Sequence, residues 1–156
     1  MVEEIENIEN PRIRPVGDLL HENFFVPRYQ RGYRWGKQEI TELLDDILQY
    51  YKATQNRENK VSKFYCLQPV VVRKKEWLNN SKEKTKGWEL IDGQQRLTTI
   101  TLIFIALYHK YKEANNEKLA NEIYKKYLIN EFAEEEEEEK LKLKPTKEND
   151  RAIKSL

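Results

Sequence analysis

The twelve residues Trp88-Glu-Leu-Ile91-Asp92-Gly93-Gln94-Gln95-Arg96-Leu97-Thr98-Thr99 constrain the fold of this chain more than any others. Trp88 to Ile91 reads as a short buried strand. From Gln94 onward, Leu97, Ile100, Thr101, Phe104, Ile105 and Tyr108 recur at helical spacing, which predicts a helix to about Glu113. Between them Asp92-Gly93 is a two-residue switch in which only the glycine takes a positive φ cheaply. The first turn of a helix presents free N–H groups and a partial positive charge, so it can hold an anion. Here that turn also carries two side-chain amides, a guanidinium and two hydroxyls, the donors a phosphate site requires. On spacing alone a plainer reading stands level with this one. Asp92 could cap the helix through the Gln94 or Gln95 amide, and Arg96 could pair with a surface carboxylate. The corner lacks the lysine of a P-loop.

Composition narrows the function classes. The chain has 156 residues, 35% of them charged and 38% hydrophobic, with a formal net charge of +1. That is one ordinary domain with a polar surface, and no global field draws it onto nucleic acid. The single Cys66 excludes an internal disulfide framework and a cysteine zinc site, and His21 and His109 are isolated. Cys66 is expected to be a small buried hydrophobe. No apolar run approaches the ~20 residues of a membrane span, and the acidic N-terminus is no signal peptide. The expected location is cytoplasmic.

Residues 1–12 read as a flexible N-terminus, 13–132 as the main domain, and 133–156 as an acidic loop with the start of a further helical region of a longer protein. Val16 to Glu22 is expected to be a short helix and Phe24 to Val26 a strand ended by Pro27. Lys37 begins an amphipathic helix with Ile40, Leu43, Leu44, Ile47, Leu48 and Tyr51 on one face. Phe64 to Arg73 is expected to be a buried strand whose Pro69 argues for an edge or a bulge, followed by a charged excursion from Glu76 to Gly87. A further helix covers about Glu117 to Asn130. Glu134 to Glu139 read as a solvated run, Leu141 and Leu143 alternate with lysines before Pro145, and Asn149 to Leu156 opens another helix. The fold class is α/β and α-rich: a small mixed sheet near residues 25, 70 and 90 packed by helices.

Three segments now fall in a recognisable order. Val26-Pro27-Arg28-Tyr29-Gln30-Arg31, with Tyr33 and Trp35, resembles an I-P-x-Y-Q-R-x-Y-x-W box. Leu67-Gln68-Pro69-Val70-Val71-Val72 resembles the middle strand that follows it. Ile91-Asp92-Gly93-Gln94-Gln95-Arg96-Leu97-Thr98-Thr99 matches a D-G-Q-Q-R-L-T-T box, and Leu141 to Arg151 resembles an L-x-L-x-P-T-x-x-D-R region. Together they resemble the N-terminal domain family of GmrSD-type, modification-dependent restriction enzymes, also found in SspE-type phage-defence proteins. More distantly the boxes resemble the ParB/sulfiredoxin fold, from which Gly93-Gln94-Gln95-Arg96 departs by lacking the glutamate and first arginine of G-E-R-R.

The resemblance implies nucleoside triphosphate binding and hydrolysis coupled to sensing of modified DNA, with cleavage assigned to a C-terminal His-Asn-His nuclease domain. Phosphoryl transfer rests on positioning and charge stabilisation, so the expected catalytic residues are Asp92, Gln95 and Arg96. Gly93, Gln94 and Gln95 would meet the phosphates, one glutamine orienting water instead. Arg96 would neutralise the leaving phosphate, and Asp92 would hold Mg2+ carried in by the nucleotide. Pro27, Arg28, Tyr29, Gln30, Arg31 and Thr98 complete the expected nucleotide site. Thr98 and Thr99 could instead bond back to their own helix. Tyr29, Tyr33 and Trp35 offer flat faces for a base or for DNA, or else pack as core or lid, and Arg34 and Lys37 suit a DNA-facing patch. Expected partners are the nucleotide, DNA and the nuclease domain, with no membrane; a homo-oligomer stays open. The alternative function is a nucleotide- or DNA-phosphate-binding switch without hydrolysis.

Overall fold

The computed structural model describes residues 13–27, 29–55, 64–78, 84–129 and 142–144. Arg28, the N-terminal residues 1–12, the glutamate run and the helix expected from Asn149 lie outside the described residues, as does Leu141. Helix α1 (Val16–Leu19) leads into strand β1 (Phe24–Phe25), then helix α2 (Lys37–Gln55), strands β2 (Val71–Leu78) and β3 (Lys84–Asp92), helix α3 (Gln94–Glu113), helix α4 (Glu117–Ile123) and strand β4 (Leu143–Lys144). Helix α4 runs on as a π-helical turn, Tyr124–Leu128. The sheet order is β2-β3-β1-β4. β2 and β3 form an antiparallel hairpin, and β1 lies parallel to both β3 and β4. The α/β, helix-rich expectation holds.

The core gathers Leu20, Phe24, Val26, Leu90, Leu97, Ile105, Leu128, Ile129 and Leu143. Phe24 pairs with Trp88 on one side and Leu143 on the other, so the short strand β1 is central in the sheet. Helix α3 covers this sheet, with Leu97, Thr101 and Ile105 on its buried face. Its length matches the sequence expectation because its ends are chemically marked. Gly93 starts it, and Lys110 and Lys112 occupy the last turn, where cations favour the helix dipole. Asn116 then caps α4, its side chain accepting from the Leu119 N–H at 3.3 Å.

Three expectations are corrected. The strand placed at Phe64–Arg73 lies later, at Val71–Leu78, and the described residues of the charged excursion belong to the paired strands β2 and β3. Cross-strand partners stabilise cations there: Arg73 and Lys75 both reach the buried Glu89 carboxylate, Lys75 at 3.0 Å. Pro69 falls outside the strand, just before β2, which lies at the edge of the sheet. Cys66 is exposed, not buried, because its segment runs outside the sheet. The apolar face of α2 buries only Leu43; Leu44, Ile47, Leu48 and Tyr51 stay exposed.

Candidate functional site

Gly93 is the N-cap of α3 at φ 92°, the left-handed conformation its sequence position called for. A Cβ there would also lie 3.2 Å from the Val70 Cα, so the corner needs glycine for space as well as for φ. The Asp92 carboxylate accepts from the Gly93 N–H at 2.7 Å, and no side chain caps the helix. The capping alternative for Asp92 therefore fails. The first intrahelical bond runs from the Leu97 N–H to the Gly93 carbonyl at 3.0 Å, leaving the Gln94, Gln95 and Arg96 N–H groups ahead of it.

Before the corner, β3 bulges. Val71 pairs with Asp92 and Val72 with Leu90, so the register skips Ile91. The Ile91 carbonyl accepts from the Gln30 side-chain nitrogen at 2.8 Å, tying the first sequence box to the end of the strand. Two further attachments hold that box down. The Gln95 side-chain oxygen accepts from the Arg34 and Trp35 N–H groups at 2.7 and 3.2 Å, and its nitrogen donates to the Gly32 carbonyl at 3.2 Å. The Tyr33 hydroxyl lies 2.9 Å from the Thr99 hydroxyl, which donates back to the Gln95 carbonyl at 2.8 Å.

Between box and corner lies a cavity of about 360 Å³. Gln30, Arg31, Arg34 and Trp35 line one side, and Asp92, Gly93, Gln94, Gln95 and Arg96 the other. Arg31, Arg34 and Arg96 all line it, and among the described residues none of them pairs with a carboxylate. The surface-carboxylate alternative for Arg96 fails too. Its guanidinium donates to the Gln68 side-chain oxygen and, at 3.0 Å, to the Pro69 carbonyl. Both acceptors are neutral, so the full positive charge remains. The Arg96 Nε–H is buried without a partner, an orphan that costs about 1–3 kcal/mol.

The sequence-predicted residues thus divide. Asp92, Gly93, Gln94, Gln95, Arg96, Gln30 and Arg31 share the cavity wall. Pro27 is fully buried and Thr98 is buried in the helix; neither reaches the wall. Tyr29 is 70% exposed and off it. Thr99 bonds back to its helix, as its alternative reading allowed. Arg34, read with Lys37 as part of a DNA-facing patch, and Trp35, read as a base or DNA face or as packing, line the cavity; Lys37 does not. Sequence reasoning missed Gln68 and the Pro69 carbonyl as the anchor of Arg96; the signal was the Gln68-Pro69 pair inside the second box.

An anion carrying several oxygens fits this wall. A divalent cation fits only as its companion. Among the described residues no group of three histidine, cysteine or acidic side chains gathers, and Asp92 offers one carboxylate with one oxygen already bonded. That suits a magnesium ion whose other ligands are phosphate oxygens and water. No helix of the described residues is long and apolar enough to cross a membrane.

No curated protein is matched by the chain. Residues 16–156 match the family model described as GmrSD restriction endonuclease, N-terminal domain.

Proposed function

The chain belongs to the GmrSD restriction endonuclease N-terminal domain family, and on that premise we propose that it binds and hydrolyses a nucleoside triphosphate as the DNA-modification-sensing, regulatory domain of a restriction nuclease. One observation carries the reading: three arginines without carboxylate partners, two from the loop and one from the helix itself, line a cavity at the uncapped start of a 20-residue helix. Like charges gathered without carboxylate partners repel one another, and a polyphosphate supplies the counter-anion that each can bond.

The residues take distinct parts. The first-turn N–H groups and the Gln94 amide hold phosphate oxygens. Arg96, its guanidinium aligned by Gln68 and Pro69, offsets charge on the transferred phosphoryl group. Arg31 and Arg34 bind the remaining phosphates from the facing loop. The unbonded Asp92 oxygen would hold magnesium arriving with the nucleotide, and that ion supplies charge neutralisation on the phosphate oxygens. Trp35 at the cavity edge gives a base a flat surface.

The switch reading without hydrolysis draws on one specific observation. The Gln95 amide, expected to help the attacking water, is occupied by loop backbone, which leaves Gln94 and Asp92 as the side chains available to a water. Phosphate release from each of the four nucleoside triphosphates with magnesium, with and without modified DNA, separates the two. Hydrolysis is expected, and its loss in Arg96→Ala at unchanged melting temperature. Nucleotide-dependent stabilisation with no release under any condition favours the switch. No stabilisation by any nucleotide removes both.

A further inference from the structure

We infer that Gln95 is a positioning residue, whose side chain fixes the 29–36 loop so that Arg31 and Arg34 face the same anion as Arg96; the inference rests on the phosphate reading of the cavity. A carboxamide offers two acceptor lone pairs and two donor hydrogens. Gln95 uses both lone pairs on the Arg34 and Trp35 N–H groups and one hydrogen on the Gly32 carbonyl. It therefore bonds the loop backbone on both sides of Tyr33, while Gln30 and Tyr33 each fasten it to the corner through a side chain. The segment between Gln30 and Gly36 has no helix or strand to fix it, so these side chains define its path.

The consequence is for binding, since a loop ordered beforehand loses less freedom when its arginines meet a ligand. Gln95 sits one residue from Arg96 on the same turn, which locks the loop arginines to the helix that carries the third. A glutamine serving water would leave its amide turned to the cavity; this one is turned to the loop.

The test measures amide hydrogen exchange and the affinity for inorganic tripolyphosphate, which has no base, in the wild-type chain, Gln95→Met and Gln95→Glu. Methionine keeps the length and loses the bonds, whereas glutamate keeps the two acceptor positions. In Gln95→Met, exchange at the Arg34 and Trp35 amides rises about tenfold and tripolyphosphate binds about fivefold more weakly, the equivalents of about 1.4 and about 1 kcal/mol. In Gln95→Glu the same two amides stay protected, which a role limited to filling space would not produce. Protection at Leu90 in the sheet core reports whether either variant has unfolded. Unchanged Arg34 and Trp35 exchange in Gln95→Met overturns the tether, as does fast exchange of both in a folded Gln95→Glu. Wild-type affinity with the loop released overturns the positioning role. A wild-type chain that takes up no tripolyphosphate removes the phosphate reading and this role with it, while the exchange data still decide the tether.

Discussion

Arg96 donates to the side-chain oxygen of Gln68, a residue whose own backbone stands at φ 70° in the left-handed region. A non-glycine residue there carries strain of about 1 kcal/mol or more, and here the strained residue is the one that aims the central guanidinium. Strain and binding can therefore be separated by one substitution. Gln68→Gly relieves the backbone and removes the acceptor. We expect a melting temperature equal to or above wild type together with tripolyphosphate binding about fivefold weaker, a loss of roughly 1 kcal/mol. Calorimetric titration beside thermal unfolding checks both signs, and a parallel fall in both leaves Gln68 a merely structural residue.

The charge on the cavity wall predicts a graded response. Arg31→Ala, Arg34→Ala and Arg96→Ala should each weaken tripolyphosphate binding about tenfold or more, since bonds to charged groups contribute about 1.5–3 kcal/mol. Lys112→Ala, at the far end of α3 and paired with Glu117 at 2.8 Å, should leave it unchanged. Equal effects from all four would mean that net charge, not this wall, attracts the anion.

Much of this site was legible in the sequence. Asp92-Gly93 at a switch from strand to 3.6-residue periodicity fixed the corner, because helix periodicity and a glycine-only φ are local properties. Helix α3 was legible for the same reason. The division of labour within the boxes was not. Whether Gln95 turns to a ligand or to Arg34 and Trp35 depends on where a loop some sixty residues earlier is laid. Nor could periodicity place β2: the expected strand ends at Arg73 because nothing in the sequence shows that the opposing Glu89 lets Arg73 and Lys75 continue it. The stripe on α2 shows the converse, since regular spacing marks a face that could be covered and says nothing of what covers it.

Gly93→Ala tests the corner itself. The new methyl group meets Val70 atoms at 3.0–3.3 Å, including backbone, at a φ of 92° that alanine resists. The expected cost is about 1–3 kcal/mol of stability, read from urea unfolding, with phosphate affinity lost alongside as the first-turn amides are displaced. An alanine variant as stable as wild type would mean that the corner relaxes freely.

Asp92→Asn should split along magnesium. Asparagine can still accept from the Gly93 N–H but carries no charge among the arginines. Without magnesium, tripolyphosphate should bind this variant more tightly than wild type, because one repulsive charge is gone. With magnesium the order should reverse, because the ion's protein carboxylate is gone. Calorimetry with and without chelator reads both arms, and the same order in both would leave Asp92 without a role toward the ion.

Glu89 gives the chain a defined acid limit. The carboxylate is 2% exposed, and its bond to Arg73, opposed by burial and aided by Lys75, holds its pKa below the ordinary carboxylate value. A carboxyl with a lowered folded pKa contributes stability in full above its unfolded value, near 4.3, and loses it as pH falls through the folded value. Glu89→Gln should therefore destabilise the protein by about 1–3 kcal/mol at pH 7 and at pH 5, with a gap that narrows below about pH 4. Arg73 is 66% exposed, which places the effect toward the lower end of that range. Urea unfolding of both proteins at pH 7, 5 and 3 measures it. A gap as wide at pH 3 as at pH 7 would mean that the loss reflects packing of the strand and not the ion pair that lets Arg73 and Lys75 sit in β2.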